Sequence, residues 1–388
     1  MPASTSLPTA VLGSTGYEIT RVGFGAWQAG GPDWSKSWGP QDDEDSIAAI
    51  RRAVEQGVTW VDTAPVYGLG HSEEVVRRAL EPFSDGDRPY VFTKCGLVWS
   101  DDDRTPRAVA TPESLRSEVQ DSLRRLGVEA LDLLQVHRPP DDGTPVTEYW
   151  DALVGLEDEG LVRALGLSNH DAQQLAAAQA RGQVDTLQPP FSALAREAGG
   201  DLIPWCVRNG TGVVVYSPLA SGLLSGSMSL DRAADFDPGD WRSDDPRFTG
   251  KALHDAIAVQ EVFREVGEGH GVSTACAAIA WTLAWSGVTG AIVGARTPEQ
   301  VDGWVGAGSV TLTARDLDAV ADVLTSTGAG SGPKHPTTAT GGPGPGGRGG
   351  HAAETPPAPG ETARPQQAKT SVTLDDRPTG ADVDLDER

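Results

Sequence analysis

TPESLRSEVQDSLRRLGVEALDLLQVHRPP, residues Thr111 to Pro140, holds one unit of a pattern that recurs along the chain. Thr111 followed by Pro112 reads as an N-cap with proline at the first helical position, where the missing N–H costs nothing. An amphipathic helix is predicted over Pro112–Leu126. Leu131–His137 then reads as a strand. Its near-continuous apolar run marks a strand covered on both faces, as in a parallel sheet.

Seven further runs of the strand type lie outside this unit: Val22–Phe24, Thr59–Asp62, Tyr90–Lys94, Ala164–Ser168, Val184–Gln188, Gly212–Ser217 and Gly290–Gly294. Amphipathic stretches at Asp45–Gln56, Ser72–Leu80, Val146–Glu159 and Asp171–Arg181 alternate with them. Eight strands in alternation with helices predict an α/β fold, a (β/α)8 TIM barrel. No GxGxxG opens the first helix, which weighs against an open Rossmann sheet. Thr9–Gly23 reads as an N-terminal β-hairpin lid, and Thr313–Leu324 as one last packing helix.

Composition bounds the rest. The chain has 388 residues with 11 tryptophans, all between Trp27 and Trp304, so the core is expected to end near residue 327. From Gly328 to Gly360, glycine and proline supply 18 of 33 residues, and 328–388 reads as a Gly/Pro-rich disordered tail behind a barrel at 1–327. The net charge of −24 belongs almost wholly to the barrel and excludes a nucleic-acid partner, which needs clustered Lys and Arg. It equally disfavours an anionic membrane surface. The run Val272–Trp285 is too short to span a bilayer. Cys95, Cys206 and Cys276 cannot all pair and show no metal spacing, so no metal site is expected, and a cytoplasmic location is.

Polar residues end six of the eight runs: Asp62, Lys94, His137, Ser168-Asn169, Gln188 and Tyr216-Ser217. In a barrel these gather at the C-terminal rim, where active sites lie. The segments that carry them resemble the aldo-keto reductases, and the resemblance runs from about Leu12 to Leu324. VDTAPVYGLGHSEEVVRRAL (Val61–Leu80), FTKCG (Phe92–Gly96) and DLLQVHRPP (Asp132–Pro140) are similar to the family's catalytic motifs. RALGLSN, YSPLASGLLSG and IVGARTPEQV are similar to its cofactor-contacting segments.

The resemblance implies an oxidoreductase that reduces aldehydes or ketones, keto sugars among them, by hydride transfer. Tyr67 is the candidate general acid, because a carbonyl that accepts a hydride needs a proton. Lys94 is expected to lower the Tyr67 pKa, and Asp62 to balance Lys94. His137 would orient the carbonyl. By the same resemblance Ser168, Asn169 and Gln188 would hold the nicotinamide carboxamide and Tyr216 would stack on its ring. Ser217, Leu219, Gly222 and Leu224 would wrap the pyrophosphate. Gly294, Arg296 and Gln300 would take the adenosine end. Arg296 beside a helix N-terminus suits a 2′-phosphate, so NADPH is expected over NADH.

Three departures from the family pattern stand out. Trp304 replaces a common asparagine, which points to a stacked adenine. Gly303 replaces a common acid, and Arg138 follows His137 where several relatives have Trp. Trp27 and Trp99 are the candidate substrate contacts, with Trp34 and Trp38 beside Trp27 and with Phe236, Trp241 and Phe248 on a further rim loop, Met228–Gly250. The expected partner is a small carbonyl compound, and the sequence leaves the oligomeric state open. A non-catalytic nicotinamide-binding regulatory subunit on the same fold is the alternative, separated from the enzyme by turnover.

Overall fold

Eight parallel strands close into a barrel in chain order: Val22–Gly25, Trp60–Asp62, Tyr90–Cys95, Leu133–Val136, Leu165–Ser168, Thr186–Gln188, Gly212–Val215 and Val288–Gly294. The eighth pairs with the first through Ala291 opposite Val22, which completes the ring. This computed structural model describes residues 6–336 apart from positions 33, 35, 85, 101 and 238. The helix predicted over Pro112–Leu126 spans those residues, and Thr111 Oγ1 caps it by accepting from the Ser114 amide. The other predicted helices form within three residues of their expected ends, the last running on to Thr327.

Side chains alternate across each strand. Trp60, Phe92, Leu133, Ala164, Val214 and Ile292 fill the barrel interior. Gly23 is required there, because a Cβ would come within 2.2 Å of the Trp60 indole. Val61, Val91, Leu134, Val136 and Leu165 face outward to the helices, against Leu115, Val119, Trp150 and Leu153. Two long helices, Gly250–His270 and Thr274–Leu283, escape the sequence pattern. In the second, every residue from Cys276 to Thr282 is buried, so no polar face marks its period. No helix among the described residues is long and apolar enough to cross a membrane.

The N-terminal hairpin, Thr9–Val11 with Glu18–Thr20, forms as expected but plugs the N-terminal end of the barrel. Ser14 bonds Asp185 there, and Gly13 abuts Gly212. It therefore lies away from the rim where a lid would act.

The chain end also differs from expectation. The first residues of the expected tail, after Thr327, dock on the loop that follows the sixth strand. Arg196 N donates to Ser331 O at 2.9 Å, the buried Arg196 guanidinium reaches Ala193 O and Ala329 O, and Ser331 bonds Glu197. A Cβ at Gly330 or Gly332 would strike the Leu194 and Arg196 backbone. Glycine serves close packing here, and the ordered body extends through Pro336. The remainder of the expected tail, 337–388, lies outside the described residues.

Candidate active site

The strand ends converge on one cavity of about 840 Å³ at the C-terminal rim, within the range of small-ligand and cofactor sites. At its base Lys94 Nζ donates to Asp62 Oδ1 at 2.5 Å and to Thr63 O at 3.0 Å, with the Tyr67 hydroxyl 3.5 Å away. Lys94 and Asp62 are almost wholly buried, so each compensates a charge that would be costly alone. Gln188 Nε2 donates to the second Asp62 oxygen at 2.8 Å. Burial pushes the Asp62 carboxyl above the usual carboxylate range, while Lys94 and then Gln188 pull it back.

The Tyr67 phenol departs from the sequence expectation. Its pKa stands well above 10, raised by burial and then by the Asp62 charge. Lys94 is committed first to Asp62, so its ammonium does not outweigh that burial. The phenol is held protonated. His137 stands edge-on to Tyr67, ring centroids 5.8 Å apart at 85°. Burial, Lys94 and Arg138 pull its imidazole well below the usual range, so it is neutral near pH 7.

Beside these groups lies an amide and hydroxyl cluster. Ser168 Oγ donates to Gln188 O at 2.7 Å. Asn169 Nδ2 donates to His137 O at 2.9 Å, and the Tyr216 hydroxyl donates to Asn169 Oδ1 at 2.8 Å. Asn169 holds this place in a left-handed conformation, φ 60°, strained for a residue with a side chain but tolerated by asparagine. Further along, Ser217, Ala220 and Ser221 are left-handed too, which folds the loop after the seventh strand tightly against the cavity.

Of the residues singled out from sequence, Trp27, Asp62, Tyr67, His137, Ser168, Asn169, Gln188, Tyr216, Ser217, Leu219, Gly222, Gly294, Arg296 and Gln300 all line this cavity. Lys94 lies directly behind it. Two of the candidate cofactor and substrate contacts do not reach it. Leu224 is fully buried in the apolar shell, with its amide donating to Leu219 O. Trp99 is absent from the wall, and Leu97, Thr105 and Pro106 of the same hairpin stand there instead. Trp27 stacks over Tyr67 at 6.1 Å and 18°, with Trp34 beside it, while Phe236 and Phe248 pack on Arg242 away from the wall.

The structure adds wall residues that sequence reasoning missed. Gln28 lies against Gly294, its buried Oε1 without a partner among the described residues. Lys36, Arg232 and Arg242 also line the cavity, as does Arg138, already marked in the sequence by its place after His137; with Arg296, the wall carries five basic side chains against one acid, Asp62, among the described residues. Nothing in the local sequence marks Gln28, Lys36, Arg232 or Arg242 as cavity-lining. Arg296 Nε donates to Gln41 Oε1 at 2.7 Å and Nη2 bonds Pro40 O, so the loop after the first strand orients its guanidinium. The loops after the first and seventh strands also meet, through a bridge between Trp38 and Asp240.

A family model described as the aldo/keto reductase family matches residues 21–325. The aldo-keto reductase YhdN of Bacillus subtilis is 32% identical over 317 residues, covering 81% of this chain and 93% of that protein. An Escherichia coli protein named NADH-specific methylglyoxal reductase is 34% identical over 316 residues, covering 79% and 94%. The solved structure of a glycerol dehydrogenase from Gluconobacter oxydans superposes with a TM-score of 0.75 at 35% identity, covering 87% of this chain and 99% of that one.

Proposed function

The chain belongs to the aldo/keto reductase family, and on that premise we propose that it reduces small aldehydes or ketones, hydroxylated ones such as keto sugars included, with NADPH. The observation that carries the reading is the juxtaposition of a protonated Tyr67 hydroxyl, the neutral His137 ring and the Lys94–Asp62 pair at the floor of one cavity.

The donor set fits a nicotinamide dinucleotide. Ser168, Asn169 and Gln188 present amide and hydroxyl groups where a carboxamide would lie, and Tyr216 offers its ring face. Arg232 and Arg296 suit phosphates at the opposite end, while the Arg242 guanidinium is held by Asp240. When bound, the reduced nicotinamide supplies the hydride.

The chain's own residues supply the rest. Neutral His137 donates a hydrogen bond to the carbonyl oxygen and fixes its direction. As negative charge develops on that oxygen, Tyr67 transfers its proton to it. The phenolate left behind is then stabilised by the Lys94 ammonium, whose charge is worth most at that moment. Trp27 and Trp34 cover Tyr67 and exclude water.

Arg296 is the reason to prefer NADPH: its guanidinium, aimed by Pro40 and Gln41, stands just before the helix Pro298–Asp302. The test is steady-state oxidation of NADPH and of NADH by the purified protein with methylglyoxal, glyceraldehyde and dihydroxyacetone. Turnover favouring NADPH is expected. Cofactor binding by fluorescence titration without turnover of any carbonyl would replace the reading with a regulatory nicotinamide-binding module.

A further inference from the structure

Glu118 sits on the helix Pro112–Leu126, one layer behind the cavity. Its Oε2 accepts from the Gly96 amide at 2.8 Å. Ser114 Oγ donates to Oε1 at 3.1 Å. Gly96 is the residue at which the chain leaves the third strand, two positions beyond Lys94, with φ 85°. Leu97–Val98 then pairs antiparallel with Arg107–Ala108, and the Val109 amide donates back to Gly96 O. This hairpin brings Leu97, Thr105 and Pro106 to the cavity wall.

The carboxylate is thus the anchor of the hairpin's base, since the backbone amide at its first turn ends on this side chain, whose other oxygen Ser114 holds. The other charged or titratable groups that act on it are Arg125, from its own helix, and Cys95, at the strand end. Arg125 is itself bound to Glu73, so its effect on Glu118 is small and through space. Solvation lost on burial is replaced only by neutral donors.

We propose that Glu118 is a positioning residue that sets the substrate-facing hairpin Gly96–Ala108 through the Gly96 amide, and so tunes carbonyl binding without touching substrate. This rests on the carbonyl-reductase reading for its kinetic consequence, but its structural half stands apart from activity.

The test compares Glu118→Gln, which keeps one carbonyl acceptor, with Glu118→Ala, which keeps none. Amide hydrogen exchange on the cofactor-free protein should rise selectively in peptides covering 96–110, more in Ala than in Gln. The KM for methylglyoxal should rise several-fold, in the same order, with kcat within about threefold and NADPH affinity by fluorescence titration unchanged. Exchange that is unaltered, or raised evenly over the barrel, would overturn the proposal. So would a locally loosened hairpin with an unmoved KM. If wild type turns over no carbonyl, the functional reading fails on its own, and the exchange pattern still decides the positioning role.

Discussion

The Tyr67 hydroxyl and the Lys94 ammonium stand 3.5 Å apart, at the outer limit of a hydrogen bond, while Lys94 holds Asp62 at 2.5 Å. In the carbonyl reduction proposed above, the pair is arranged for what would form during the reaction. A phenol that keeps its proton is a competent acid, and a waiting cation lowers the cost of the phenolate.

Tyr67→Phe should therefore lower kcat by at least 100-fold, the lower end of what general acid catalysis contributes (~10²–10⁴), with NADPH affinity unchanged, because the ring that packs under Trp27 is kept. Retention of a tenth of wild-type kcat would remove Tyr67 from the acid role. Lys94→Met should be comparably slow, and it should also melt lower, since it leaves buried Asp62 without its partner (about 3–5 kcal/mol).

Arg296→Ala should weaken NADPH far more than NADH. A lost charge-assisted contact to phosphate costs ~1.5–3 kcal/mol, roughly ten- to a hundredfold in Kd. Equal weakening of both cofactors would show that Arg296 orients the Pro40–Gln41 loop instead of reading a 2′-phosphate.

The pH dependence of kcat/KM separates two half-buried groups. Burial pushes the Glu118 carboxyl up to about 7, so its anchoring carboxylate forms only as pH rises through that value. The depressed His137 ring has already lost its proton below that range. KM should fall as pH rises through about 7. The change should survive in His137→Gln, slower throughout, and vanish in Glu118→Gln. Its disappearance in the His137 variant alone would assign the limb to the imidazole.

A chain ended after Thr327 should melt several degrees below one ended after Pro336. The shorter chain loses the Ser331 contacts to Arg196 and Glu197 and leaves the buried Arg196 guanidinium without Ala329 O. Each such buried group left unmatched costs about 1–3 kcal/mol. Identical melting of the two would show that the docked segment adds no stability.

The barrel was legible because its strands are apolar runs set between amphipathic helices, and the rim residues because a charged or polar group closing an apolar strand has few reasons to be there. Lys94 is the clearest instance: a lysine in VFTKC demands a partner, and Asp62 is that partner. The alternation of FTKCGLVW could not say whether Leu97 or Trp99 faces the cavity, since a left-handed glycine at 96 resets the register. Glu118 was one acid among several on an amphipathic helix. Its burial depends on a hairpin that only the fold brings over it. Gly328–Gly332 has the composition of a tail, yet those glycines are what allow it to lie against Arg196.

The five basic side chains on the cavity wall sit in a protein of net charge −24. A dinucleotide polyanion approaching from solution meets a repulsive far field before it meets those arginines. At about 0.1 M salt the screening length is ~10 Å, enough to mute the distant acids while the contact pairs inside the cavity are screened much less. Cofactor capture by this protein should therefore quicken as salt is first added, the reverse of ordinary electrostatic steering, and measured on-rates will depend on the ionic strength chosen.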